Sequence, residues 1–120
     1  MARILAVDDS PSMRQMVSVA LSQAGHNVAS ASDGVEALKI AGAERFDLVI
    51  TDVNMPNMDG ITLVRQLRGH ANYKFTPLLV LTTEATAERK QQGRDAGATG
   101  WLVKPFNPER LLATVARVLT

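Results

Sequence analysis

Several short apolar runs in this chain of 120 residues stop on a charged or hydroxyl side chain. ILAV (4–7) is followed by Asp8 and Asp9, DLVI (47–50) by Thr51 and Asp52, and GWLV (100–103) by Lys104, while LLVLT (78–82) itself ends in Thr82. Apolar runs of this length suit strands buried on both faces of a parallel sheet. Each group then stands at a carboxyl end of a strand, and in open α/β sheets those ends share the ligand crevice. Three carboxylates in one crevice repel: either one takes up a proton, with a raised pKa, or cations neutralise them, and one lysine does not suffice for three. Hard oxygen donors with no His or Cys beside them favour Mg²⁺, which keeps several waters and takes one or two carboxylates. Asp9 and Asp52 would supply ligands, and the Asn54 carbonyl, aimed by the turn at Met55–Pro56, a third. A carboxylate beside Mg²⁺, a lysine and a threonine is equipped for phosphoryl transfer. Asp52 would be the nucleophile, Mg²⁺ and Lys104 would offset charge on the phosphoryl oxygens, and Thr82 would donate a hydrogen bond.

The elements that must position these groups alternate along the chain. NVAS (27–30) is the least apolar run and suits an edge strand. Between the runs, Met13, Met16, Val17, Ala20, Leu21 and Ala24 form one helical stripe, entered at Pro11 and left at Gly25. A second helix is expected over roughly 34–41, with Ser32 or Asp33 as its N-cap, and a third over roughly 60–68 behind Asp59, with Ile61, Val64 and Leu67 inward. The last starts at Asn107-Pro108 and turns Leu111, Leu112, Val115, Val118 and Leu119 to one side. The segment 84–97 permits a helix, but its apolar residues are all alanines and Gly93 lies inside it. An interior glycine costs about 1 kcal/mol against alanine, so this helix is expected to be the most loosely held. The whole reads as (βα)₅, a five-stranded parallel sheet with helices on both faces.

Composition excludes several classes. Apolar residues make up 46% and charged residues 21%, and the formal net charge of +1 gives no field for nucleic acid or a membrane surface. With no cysteine there is neither a disulfide framework nor a thiolate metal site. No apolar run approaches the ~20 residues that span a bilayer, and MARILAVDD lacks the pattern of a signal peptide. The expectation is a single domain over 1–120, monomeric and cytoplasmic.

VDDS, DVNMPNMDG, LTTEA and GWLVKPF, in that order and at those strand ends, resemble the receiver domain of two-component response regulators. The resemblance covers essentially the whole chain. It implies the flavodoxin-like strand order 2-1-3-4-5, of which CheY is a standard representative. It implies transfer of a phosphoryl group from a histidine kinase to Asp52, with Mg²⁺ on Asp9, Asp52 and the Asn54 carbonyl, and Asp8 acting mainly through metal-bound water. Lys104 would pair with the phosphate, Thr82 would swing toward it, and Trp101, at the family's switch position, would turn inward behind Thr82. That would rearrange the face of the fourth helix, fifth strand and fifth helix, which partners read, with no output domain attached. Such a protein catalyses only its own phosphorylation and dephosphorylation. The resemblance also implies a cis bond between Lys104 and Pro105.

NMPNMDG with Asn54, and Glu84 two residues after Thr82, are similar to the chemotaxis type, CheY, where those two positions line the path of the hydrolytic water. Two departures stand out. Trp101 replaces a tyrosine, so any hydrogen bond of that hydroxyl is lost, and Lys90, Gln91 and Gln92 replace apolar residues on the motor-binding face, which speaks against the flagellar switch as target. The rivals are a haloacid-dehalogenase-like phosphatase, a constitutive protein-binding receiver and an FMN-binding flavodoxin. The first wants an acid where Asn54 stands and a cap domain, the second leaves Asp9, Asp52, Thr82 and Lys104 unexplained, and the third lacks a Ser/Thr-rich loop after the first strand. In isolation, Asp8-Asp9 also reads as a helix cap, Lys104 as a solvated strand end and Trp101 as core.

Overall fold

The computed structural model describes residues 1–120. Strand and helix alternate throughout: β1 (Arg3–Val7), α1 (Pro11–Gln23), β2 (Asn27–Ala31), α2 (Gly34–Ala43), β3 (Leu48–Thr51), α3 (Gly60–Arg68), β4 (Leu78–Thr82), α4 (Ala87–Ala96), β5 (Gly100–Val103) and α5 (Pro108–Val118). All strand pairs are parallel and the order is β2-β1-β3-β4-β5, a flavodoxin-like arrangement as expected. The strands match the apolar runs to within a residue. Both β2 and β5 are edges, and β5 is only half-buried, so GWLV does not share the two-sided burial of the three central runs.

Because strand side chains alternate between faces, the sheet divides one core into two. Leu5, Val7, Val49, Leu78 and Val80 pack with Ala37 and Ala41 of α2, Ile61, Leu63, Val64 and Leu67 of α3, and Ala96 of α4. On the other face Ile4, Ala6, Leu48, Ile50, Leu79 and Leu81 pack with Val17 and Leu21 of α1 and with Leu111 and Val115 of α5. The α1 stripe is narrower than its spacing predicts, since Met16 is 54% exposed. A 3₁₀ turn, Ala71–Tyr73, follows α3 and has no signature in the apolar pattern. It sinks Tyr73 completely, and the phenol donates to the carbonyls of Ala41 (2.8 Å) and Glu44 (2.9 Å). No helix is long and apolar enough to cross a membrane.

Helix starts follow the side chains that can accept from free N–H groups. Ser10, Asp33, Asp59, Thr86 and Asn107 cap α1 to α5 in turn. Asp33 does more than cap. The Glu36 N–H and the Asn57 amide both donate to it and hold its carboxyl below the usual range, tying α2 to the turn after β3. That turn brings α3 back so closely that a Cβ at Gly60 would lie 1.8 Å from the Asp52 carbonyl oxygen. The obstacle is backbone and cannot rotate away. Gly60→Ala is therefore expected to destabilise the fold by about 3 kcal/mol. A urea denaturation midpoint matching that of the wild type would show that the turn yields without cost.

Candidate functional site

Lys104 lies at the centre of the crevice. Its side chain, 8% exposed, leaves the end of β5 and donates to Asp8 Oδ2 at 2.6 Å and Asp52 Oδ2 at 3.0 Å. Two neighbouring strand ends, those of β1 and β3, thus meet the end of β5, which β4 separates from them, on one ammonium. Burial pushes the Lys104 pKa down, but the hydrogen bonds and charges of Asp8 and Asp52 outweigh burial and hold it above the ordinary lysine value. Carboxylate oxygens of Asp8, Asp9 and Asp52 lie within 4.8 Å of one another, with Asp8 buried, Asp52 half-buried and Asp9 exposed. Oxygen-only donors in such a cluster fit a hard divalent cation of the Mg²⁺ kind.

The surrounding loops fix the carboxylates. Asp52 Oδ1 accepts from the Val53 N–H at 2.6 Å, and the Thr51 hydroxyl donates to the Asp52 carbonyl at 2.8 Å. Asp8 Oδ1 accepts from the Ser10 N–H at 2.9 Å. Asp8 therefore does not cap α1, a role taken by Ser10 through the Met13 N–H. Arg14, one turn into α1, donates to the Asp8 carbonyl at 2.7 Å. Nothing in the spacing of the sequence marked it as a neighbour of the site.

The other expected residues rim the same crevice. Thr82 is fully buried at the end of β4, and its Oγ1 accepts from the Glu84 N–H at 3.2 Å, leaving its own hydrogen to donate. The Asn54 amide donates to Glu84 Oε1 at 3.1 Å, which joins the loop after β3 to the loop after β4. Trp101 is half-buried against the α3–α4 side of the core, and its Nε1–H donates to the Glu84 carbonyl at 2.9 Å. The expected loss concerned the hydrogen bond of a hydroxyl; at this position the indole makes one through its own N–H. Lys104–Pro105 is a cis peptide. Beside the crevice, the face of α4, β5 and α5 is hollowed around Trp101, Leu102 and Phe106, and the charged residues lining the hollows are Lys90, Arg110 and Arg117.

With the geometry in view, comparison with known proteins places it. Residues 4–116 match the family described as "Response regulator receiver domain". The response regulator MprA of Mycobacterium leprae is 43% identical over 117 residues, which make up 98% of this chain and 50% of that protein, so the chain spans about half the length of the curated relatives it matches. Among solved structures, the chemotaxis protein CheY4 of Vibrio cholerae is 59% identical over 98% of both chains, with a TM-score of 0.95. The response regulator TrrA of Thermotoga maritima, solved in complex with Mg²⁺-BeF, is 32% identical over 98% of this chain and 99% of that one, with a TM-score of 0.88.

The raised pKa of Lys104 has a stability consequence with a definite sign. A lysine whose folded value exceeds its unfolded one stabilises fully below the unfolded value, here 10.5, and loses that contribution as pH rises through the folded value. Near neutral pH, Lys104→Met leaves Asp8 and Asp52 facing each other without their cation, at an expected cost of about 3 kcal/mol. Urea denaturation of both proteins should show that gap near neutrality and a narrowing gap above pH 10.5. A gap that stays constant across that range would mean that the ion pair contributes nothing and that the loss is one of packing.

Proposed function

The chain belongs to the response regulator receiver domain family, and from that premise we propose that it accepts a phosphoryl group from a histidine kinase onto Asp52 and acts as a cytoplasmic, chemotaxis-type signalling module. The observation that carries this reading is the convergence of Asp8, Asp52 and Lys104 from three strand ends. Agreement with CheY4 over nearly the whole of both chains supports the chemotaxis assignment.

Mg²⁺, held by Asp9, Asp52 and the Asn54 carbonyl, would supply positive charge for the phosphoryl oxygens during transfer. TrrA, solved with Mg²⁺-BeF, supports that choice of ion. Asp8 has one oxygen on Lys104 and the other on the Ser10 N–H, which favours an indirect role for it toward the ion. In the transfer, an Asp52 carboxylate oxygen attacks phosphorus while the bond from phosphorus to the imidazole nitrogen of the donor histidine breaks. The Val53 N–H and Lys104 orient the carboxylate beforehand. Phosphoryl transfer demands positioning and charge compensation more than covalent chemistry. Lys104 already faces the Asp52 oxygens and can shift to the incoming phosphoryl group, and Thr82 has a hydrogen left to donate. Hydrolysis then requires water to pass Asn54 and Glu84, whose side chains are hydrogen-bonded to each other.

The signal leaves through the face of α4, β5 and α5. Trp101 connects that face to the crevice through the Glu84 carbonyl. Polar side chains on α4, with Lys90, Arg110 and Arg117 around the hollows, argue for a protein target other than one that reads an apolar α4.

Incubation with acetyl phosphate, followed by intact-mass measurement, tests the acceptor. The expected outcome is a Mg²⁺-dependent gain of one phosphoryl group that Asp52→Asn abolishes. Undiminished labelling of the variant would move the acceptor elsewhere, and no labelling of the folded wild type would favour a constitutive binding module. Trp101, the only tryptophan, should change its fluorescence when Mg²⁺ and beryllofluoride are added together. An unchanged spectrum would remove it from the switch.

A further inference from the structure

We propose that Gly93 and Trp101 form a size-matched pair that fixes the Glu84 carbonyl, and that the pair thereby sets the lifetime of the phosphoryl group. This rests on the reading of Asp52 as phosphoacceptor. Gly93 is an odd choice for the middle of α4. The helix has no apolar stripe beyond alanine, and glycine there costs about 1 kcal/mol against alanine. The structure supplies the reason. A Cβ at residue 93 would lie 2.5 Å from Cζ3 and 2.9 Å from Cε3 of Trp101. Those atoms belong to a rigid ring, so even one methyl group at 93 obliges the indole to move.

The indole is held at its other end by the bond from Nε1 to the Glu84 carbonyl at 2.9 Å. Glu84 is where three connections meet. Its carbonyl accepts from Trp101, its N–H donates to Thr82 Oγ1 at 3.2 Å, and its carboxylate accepts from Asn54 at 3.1 Å. The Asn54–Glu84 bond links the two loops on either side of the Asp52 crevice, so it lies across the route of a water molecule approaching phosphorylated Asp52. Neither Gly93 nor Trp101 makes a hydrogen bond to the Asp52 carboxylate, and both act as positioning residues. With the indole displaced, the loop carrying Glu84 loses one of its three ties, the Asn54–Glu84 contact opens more often, and hydrolysis speeds up.

The test compares wild type, Gly93→Ala, Trp101→Phe and the double variant, each labelled with acetyl phosphate and Mg²⁺ and then followed by intact mass after the donor is removed. Gly93→Ala should shift Trp101 emission to the red before any phosphorylation and shorten the phosphoryl lifetime about threefold, the scale of losing one modest hydrogen bond, with the labelling rate little changed. Trp101→Phe, which lacks the N–H, should shorten the lifetime equally. The double variant should match Trp101→Phe alone, because the smaller ring tolerates alanine and the bond is already gone. Additive effects of the two substitutions, or equal lifetimes across the set, would overturn the proposal while leaving the phosphoacceptor intact. Absence of labelling in the folded wild type would overturn both.

Discussion

The crevice depends on one ammonium group. Asp8, Asp9 and Asp52 bring their oxygens within 4.8 Å of one another, and like charges so close oppose the compact state. Lys104 offsets the two less exposed ones directly. It does so from β5, separated from β3 by β4 and from β1 by β3 as well. Strands lie about 4.8 Å apart, so the contact needs a long unbranched side chain laid across the end of β4. The last residue of that strand, Thr82, is small and fully buried, and its carbonyl accepts from the Lys104 N–H at 2.8 Å. The strand order therefore acts directly on the chemistry, since it sets the distance that the Lys104 side chain must span to reach both carboxylates.

Rigid parts and adjustable parts are separated cleanly. The strands deliver their last residues from a core filled on both faces, whereas the groups around the crevice sit on loops tied by single hydrogen bonds. Among the glycines where a neighbour comes closer than a side chain allows, two bear on the crevice. Gly60 lets α3 start against the Asp52 carbonyl, and Gly93 lets the Trp101 ring rest on α4. The first bears on the backbone of Asp52. The second touches a segment whose tie to the crevice is one carbonyl. Arg68 performs a related stitch, donating to the carbonyls of Gly97, Tyr73 and Thr76 and so holding the end of α4 to α3 and the 3₁₀ turn.

Much of this was legible in the sequence because burial imposes a pattern. The three central strands are apolar on both faces and stand out against the helices, and each helix start carries a residue that accepts from free backbone N–H groups. Asp8, Asp52 and Lys104 could be brought together because strand ends are fixed points in such a fold. What stayed hidden depended on distances that no period encodes. Tyr73 is buried by a single turn too short to have a period. Met16 fits a helical stripe but faces solvent, because the side of α1 that meets the core runs through Met13, Val17 and Leu21. Gly93 read as a flaw in a weak helix, since its ring partner lies on another element. The bonds of the Asp8 oxygens to Lys104 and the Ser10 N–H likewise have no signature in the sequence spacing.

The arrangement also accounts for why an event at Asp52 should be felt at the outer face on the proposed reading. A phosphoryl group adds negative charge where Lys104 already serves two carboxylates, so the lysine must redistribute its hydrogen bonds. Its neighbours leave little room for independent adjustment. Lys104 directly follows β5, three residues after Trp101, its N–H is bound to the Thr82 carbonyl, and Thr82 is bound through its hydroxyl to Glu84, which holds the indole. The ends of β4 and β5 thus form a closed loop of short contacts, one side facing Asp52 and the other the hollows around Trp101. A rearrangement on the first side has to be taken up somewhere in that loop. The indole, half-buried on an edge strand, is the member that also lines the outer face.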